Sequence, residues 1–245
     1  MDLQLEDKVV LVTGGTGAIG REIVRIFIEE GAKVYFLYNR AEKKAAELMA
    51  TYGEDRCKGL QSSVLDQANL ARLTQEICAA CGTIDVLVNN AGMTDVLPFP
   101  LIEEEDWDAC LDVNAKGAFL VTKETARYMI KRRSGTIINM GSLAGERILE
   151  VPVHYATAKA ALTGFTLALT KELSRYNIRV NCVVPGLVDG GVGRSATDRQ
   201  RQQYLEYCTS GRLAKPEEVA DLIAFLASPR AAYVNGQIIH IDGGI

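Results

Sequence analysis

Lys8-Val9-Val10-Leu11-Val12-Thr13 runs directly into Gly14-Gly15-Thr16-Gly17-Ala18-Ile19-Gly20, and residues 21–30 then show helical periodicity through Ile23, Val24, Phe27 and Ile28. A short apolar run ending in glycines reads as a strand buried in a parallel sheet. Glycines let a backbone approach a pyrophosphate, and the start of the helix offers free N–H groups and the positive end of a dipole. Strand, glycine turn and helix, opening a βαβ unit, point to an α/β sheet that binds a phosphate-bearing ligand.

The alternation continues along the chain. Further strands are expected at residues 33–38, 56–61, 84–89, 135–141, 179–184 and 237–241. Helices are expected at 41–52, 66–81, 103–132 (one or two), from Tyr155 to about Arg175, and at 217–227 after Pro216. No repeat, linker or low-complexity segment interrupts the pattern. The expectation is one domain over residues 1–245, an α/β, doubly wound parallel sheet of about seven strands with helices on both faces. Residues 187–211 are polar, with Gly190, Gly191 and Gly193 near their start, and read as a mobile lid carrying a short helix over a substrate.

In such sheets the C-terminal ends of strands bind ligands. The second strand ends in Tyr38-Asn39-Arg40-Ala41, with Lys43 and Lys44 beyond it. An acid there would bind the ribose hydroxyls of NAD and repel a 2′-phosphate; a basic end favours NADP. Asn89-Asn90-Ala91-Gly92, Ser142 and Pro185-Gly186 stand at three further strand ends. Tyr155 and Lys159 are four apart, one turn along a helix face. An ammonium there is expected to pull the phenol pKa down and suit it to proton transfer with a carbonyl or alcohol oxygen. His154 reads as a pocket-edge or surface residue. Taken alone, the Tyr-x-x-x-Lys spacing is a common feature of helix faces.

The net charge of −4 argues against general nucleic-acid binding. No apolar run of membrane-spanning length occurs, and the N-terminus is acidic without an apolar core segment, so no membrane span or signal peptide is expected and the cytoplasm is the expected site. Cys78 and Cys81 form the sole Cys-x-x-Cys pair, with no second ligand pair near it. Reduced thiols and no metal site are expected.

Taken together, Thr13-Gly14-x-x-x-Ala18-x-Gly20, Asn89-Asn90-Ala91-Gly92, Asn114, Ser142, Tyr155-x-x-x-Lys159 and Pro185-Gly186 resemble the short-chain dehydrogenase/reductase superfamily over essentially the whole chain. The length, the lid stretch through Gly211-Arg212-Leu213 and the ending Asp242-Gly243-Gly244 look most like its bacterial β-ketoacyl-acyl-carrier-protein reductases. The resemblance implies an NADP-dependent oxidoreductase reducing a 3-oxoacyl thioester, carrier-bound, in fatty-acid or polyketide-like biosynthesis. It implies a catalytic tetrad: Tyr155 as general acid, Ser142 on the same oxygen, Lys159 on the tyrosine and the nicotinamide ribose, and Asn114 anchoring a water. Gly14, Thr16, Gly17, Ala18, Ile19, Asn39, Arg40, Ser63, Asn90, Ala91, Gly92, Tyr155, Lys159, Pro185, Gly186 and Val188 would hold NADP(H). A homotetramer is implied, through helices around residues 108–131 and 155–176. Arg133 matches a basic position that docks an acidic acyl carrier protein, and Arg175 adjoins Tyr176, where the subgroup has a second arginine. Two departures stand out: Ser63 where many members have an adenine-contacting aspartate, and Gly190 where relatives often have a threonine. A free small ketone, sugar or cyclic alcohol as substrate is the alternative. A further one is a non-catalytic cofactor-binding scaffold.

Overall fold

Seven parallel strands form one sheet in this computed structural model, which describes residues 2–245. They are β1 (Val9–Thr13), β2 (Lys33–Tyr38), β3 (Cys57–Gln61), β4 (Val86–Asn89), β5 (Gly135–Met140), β6 (Ile178–Pro185) and β7 (Ile238–Ile241). Their spatial order is β3-β2-β1-β4-β5-β6-β7. The order therefore reverses between β1 and β4, where Val10 pairs with Val34 on one side and Val86 on the other. That reversal opens a crevice at the C-terminal strand ends.

The helices are α1 (Ala18–Glu29), α2 (Glu42–Tyr52), α3 (Gln67–Cys81), α4 (Glu104–Leu111), α5 (Gly117–Arg132), α6 (Val153–Leu173), α7 (Asp198–Tyr207) and α8 (Pro216–Ala227). Alternate strand residues enter two separate cores. Val10 and Val12 pack with Ile23, Phe27 and Ile223 on one face; Val9 and Leu11 pack with Leu70, Ile77 and Met129 on the other. Both faces are apolar, which is why β1 reads as a continuous apolar run. Each large side chain buried this way contributes about 1.5–3 kcal/mol. Among the described residues, no helix is long and apolar enough to cross a membrane.

Three elements carry detail beyond the expectation that matters to the site. The first helix begins at Ala18, so half of the glycine turn is already helical. The 103–132 stretch is two helices joined by a π-helical turn, Asp112–Lys116, that carries Asn114. Residues 187–211 hold a 3₁₀ turn (Gly191–Ser195) and α7. They are anchored through α7: Tyr204 Oη donates to the Asp242 carbonyl at 2.7 Å, and Gln200 Nε2 to the Glu150 carbonyl at 2.9 Å.

Candidate active site

A cavity of about 1600 Å³ lies along the C-terminal strand ends. Its first wall is the β1–α1 turn. Gly14 has φ +65°, and a Cβ there would stand 2.9 Å from Ala91 Cα, so glycine is required both for conformation and for approach. Gly17 precedes α1 with no side-chain cap, and no acid lies in the first turn. The helix's first N–H groups and its positive dipole end thus remain available beside Thr16, Gly17, Ala18 and Ile19, which line the cavity.

Thr13 and Asn90 lock this turn to the end of β4. Thr13 Oγ1 accepts the Asn90 and Ala91 N–H groups, each at 2.9 Å. Asn90 Nδ2 donates to the Thr13 and Gly14 carbonyls at 3.0 and 3.1 Å. At the end of β2, Asn39 and Arg40 are exposed and line the cavity, and no carboxylate follows the strand before Glu42. Arg40 forms no ion pair among the described residues. Ser63 also lines the cavity; its Oγ accepts the Leu65 N–H at 3.2 Å, which leaves its proton free to donate.

The opposite wall carries three members of the expected tetrad, Ser142, Tyr155 and Lys159. Ser142 follows β5 and opens a 3₁₀ turn (Leu143–Gly145), its Oγ accepting the Ala144 N–H at 3.2 Å. That turn packs directly on the α6 backbone beside Ala160, bringing Ser142 to the start of α6. Tyr155 and Lys159 project from one face of α6 into the cavity. Lys159 is buried, donates to the Met140 carbonyl at 2.9 Å, and lies 5.7 Å from the Tyr155 ring centre.

The electrostatics correct one expectation. Burial pushes the Tyr155 phenol up to about 12, with the Ser142 hydroxyl working against the rise. Burial also pushes the Lys159 ammonium down to about 8. Lys159 therefore does not depress the tyrosine here: desolvation disfavours both charged forms, and it outweighs an ammonium that sits against the ring and spends a hydrogen bond on a carbonyl. The pair is a neutral phenol beside a weakly held proton.

Asn114 does not line the cavity; it stands behind it, 1% exposed. Its Nδ2 donates to the Met93 and Cys110 carbonyls at 2.8 and 2.9 Å, and Oδ1 accepts the Met93 N–H at 3.3 Å. One acceptor position on Oδ1 is left. Oδ1 and Lys159 Nζ both lie within 3.4 Å of the point where a Cβ on Gly92 would stand. Pro185, Gly186 and Val188 close the floor after β6. Gly190 has φ +149° and packs on Ala18, which explains glycine there in place of threonine.

His154 departs from expectation. It is 1% exposed, does not line the cavity, and its Nδ1 has no partner, because the first turn of α6 folds that side of the helix inward. Arg133 and Arg175 lie outside the cavity lining, gathered over the Tyr176 ring at 5.9 and 4.9 Å. A buried polar ladder was not anticipated: Asn89 donates to Asn139 at 2.9 Å, and Asn139 donates to Thr166 at 2.9 Å. It ties β4 and β5 to α6 beneath the tetrad. An asparagine inside the apolar run of β5 was the available signal.

A nucleotide-phosphate turn facing a hydroxyl–phenol–ammonium cluster defines a nicotinamide-dependent oxidoreductase, and the chain belongs to the short-chain dehydrogenase/reductase family. The family model described as enoyl-(acyl carrier protein) reductase matches residues 15–245. The chain is similar to 3-oxoacyl-[acyl-carrier-protein] reductase FabG of several bacteria. Identity is 38% to the Aquifex aeolicus protein, over all of both chains, and 38% to that of Thermotoga maritima, over 99% of each. It is 35% to the Escherichia coli protein, over 99% of each.

Proposed function

We propose that the chain reduces a 3-oxoacyl thioester, borne by an acyl carrier protein, to the 3-hydroxyacyl form with NADPH. The observation that carries this reading is the convergence of Ser142, Tyr155 and Lys159 at a cavity whose far side is the glycine turn and Arg40. The residues present fit NADP: an uncapped α1, no carboxylate ending β2, and an unpaired Arg40. Gly14 and residues 16–19 would hold the pyrophosphate, and Asn39 and Arg40 the 2′-phosphate. Ser63 would meet the adenine. Asn90, Ala91, Gly92, Pro185, Gly186 and Val188 would line the remainder.

When bound, the nicotinamide supplies the hydride. Tyr155, a protonated phenol at neutral pH, donates its proton to the ketone oxygen. Ser142 donates a hydrogen bond to the same oxygen and stabilises charge developing there. Lys159 returns a proton to Tyr155, drawing on a water held by the open lone pair of Asn114 Oδ1.

The pH dependence follows. The Lys159 ammonium, near pKa 8, is charged below that value and neutral above it. Reduction is expected to hold level from about pH 6 to about pH 8, then fall; alcohol oxidation is expected to rise over the same range. A level profile to about pH 10 in both directions would overturn the role of Lys159.

The function itself is tested by following NADPH oxidation with acetoacetyl thioester and a matched free ketone, then with NADH. Faster turnover of the thioester supports the reading; preference for the free ketone moves the substrate to a small ketone, sugar or cyclic alcohol. No turnover of any ketone leaves a cofactor-binding scaffold. The unpartnered apolar face of α6 (Val153, Leu167) and Phe119 on α5 support a homotetramer. A stable, active monomer in sedimentation contradicts it. Arg133 and Arg175, joined by an Arg133 bond to the Arg175 carbonyl, form a basic pair suited to an acidic carrier. The cytoplasm is the compartment that fits this role.

A further inference from the structure

We infer that Arg147 is a substrate-recognition residue that binds an anionic group, phosphate or carboxylate, carried by the substrate. The inference rests on the reading above that the Ser142 and Tyr155 side of the cavity receives the ketone. Five charged side chains line the cavity: Arg40, Asp112, Arg147, Glu150 and Lys159. Asp112 is paired with Lys116 at 3.1 Å, and Glu150 lies 3.6 Å from Arg199. Lys159 belongs to the reaction. Two cations are left without a counter-charge, Arg40 and Arg147.

They follow different strands. Arg40 follows β2 and Arg147 follows β5, three strands apart in the order β2-β1-β4-β5. At the usual strand spacing that is about 14 Å. Arg40 belongs to the cofactor wall. Arg147 lies on the loop between Ser142 and Tyr155.

The loop is built to leave this guanidinium free. The Arg147 N–H donates to the Leu143 carbonyl at 2.9 Å, as does that of Glu146, which fixes the backbone. The neighbouring Glu146 carboxylate accepts the Thr163 hydroxyl on α6 instead of turning to Arg147. Glu150 meets Arg199 on α7. The guanidinium's own bond is a long one, 3.4 Å to the Glu146 carbonyl. Ile148, Leu149 and Val151 line the cavity beside it. Arg147 is exposed at the cavity rim, and its planar fork of donors suits a phosphate or carboxylate. A thioester on a phosphopantetheine arm carries such a phosphate; a free 3-oxo acid carries a carboxylate.

The test compares KM at saturating NADPH for two charged and neutral pairs: acetoacetyl-coenzyme A with acetoacetyl-pantetheine, and acetoacetate with its methyl ester. Arg147→Gln is expected to raise KM for the charged member of one pair about tenfold more than for the neutral member, with Arg147→Lys recovering part of the loss. The pair that responds identifies phosphate or carboxylate. Equal effects within both pairs overturn the inference. Turnover of none of these by the unsubstituted enzyme would instead count against the reading of the reaction. The inference is then decided by calorimetric titration of coenzyme A and of pantetheine onto the enzyme with NADP⁺. Selective loss of coenzyme A affinity in Arg147→Gln supports it, and equal affinities before and after overturn it.

Discussion

Tyr155→Phe is expected to lower kcat for ketone reduction by about a thousandfold while leaving the fold intact. The change removes one oxygen from a side chain whose ring contacts persist, including the approach of Lys159 Nζ at 5.7 Å to its centre. The phenol is neutral at physiological pH, so the substitution removes a proton donor and no charge. Neither of its two partners at the reacting oxygen can replace it. Ser142 can position the oxygen, but its hydroxyl is a far weaker acid; Lys159 is turned to the Met140 carbonyl. The KM for cofactor is expected to move little, since the glycine turn and Arg40 are untouched. The check is steady-state NADPH oxidation together with a thermal midpoint. If a correctly folded Tyr155→Phe kept more than about a tenth of kcat, the proton donor would have to be another group.

What the sequence made legible is what periodicity and local stereochemistry write into it. The seven strands were readable because both faces of the sheet are covered, so Val9 to Val12 are apolar on both sides. Gly14 was readable because a turn at positive φ against Ala91 leaves room for little else. Less legible were properties that depend on what lies across the fold. The direction of the Tyr155 shift is one: spacing on a helix puts the ammonium nearby, but spacing does not report how much water both groups lose. His154 is another. Beside an exposed Val153 and a cavity-facing Tyr155 it looked peripheral, yet the turn of helix between them points it inward. Asn114 gave its residue type but not its setting, a π-helical turn that spends both amide hydrogens on carbonyls and leaves one lone pair open. The anchoring of residues 187–211 through Tyr204 and Gln200 depends on partners 38 and 50 residues away.

Arg40→Asp is expected to reverse the cofactor preference. The arginine is exposed and unpaired, so its loss costs the fold almost nothing, and the effect should fall on binding alone. Removing one charge-assisted bond to a 2′-phosphate in a solvent-facing position costs about tenfold in affinity, which Arg40→Ala should report. The aspartate adds repulsion against the phosphate, so Arg40→Asp should weaken NADPH by about a hundredfold. The same carboxylate can accept the ribose hydroxyls of NADH, so that cofactor's KM should fall or hold. The graded series separates attraction from repulsion. A step from arginine to alanine with no further step to aspartate would mean that the side chain packs on the adenine and does not bind phosphate. No change in either variant would mean that the end of β2 does not read the 2′ position. Lys43 and Lys44, one turn further on, would then be the remaining basic groups to test, and the NADP assignment would rest on them.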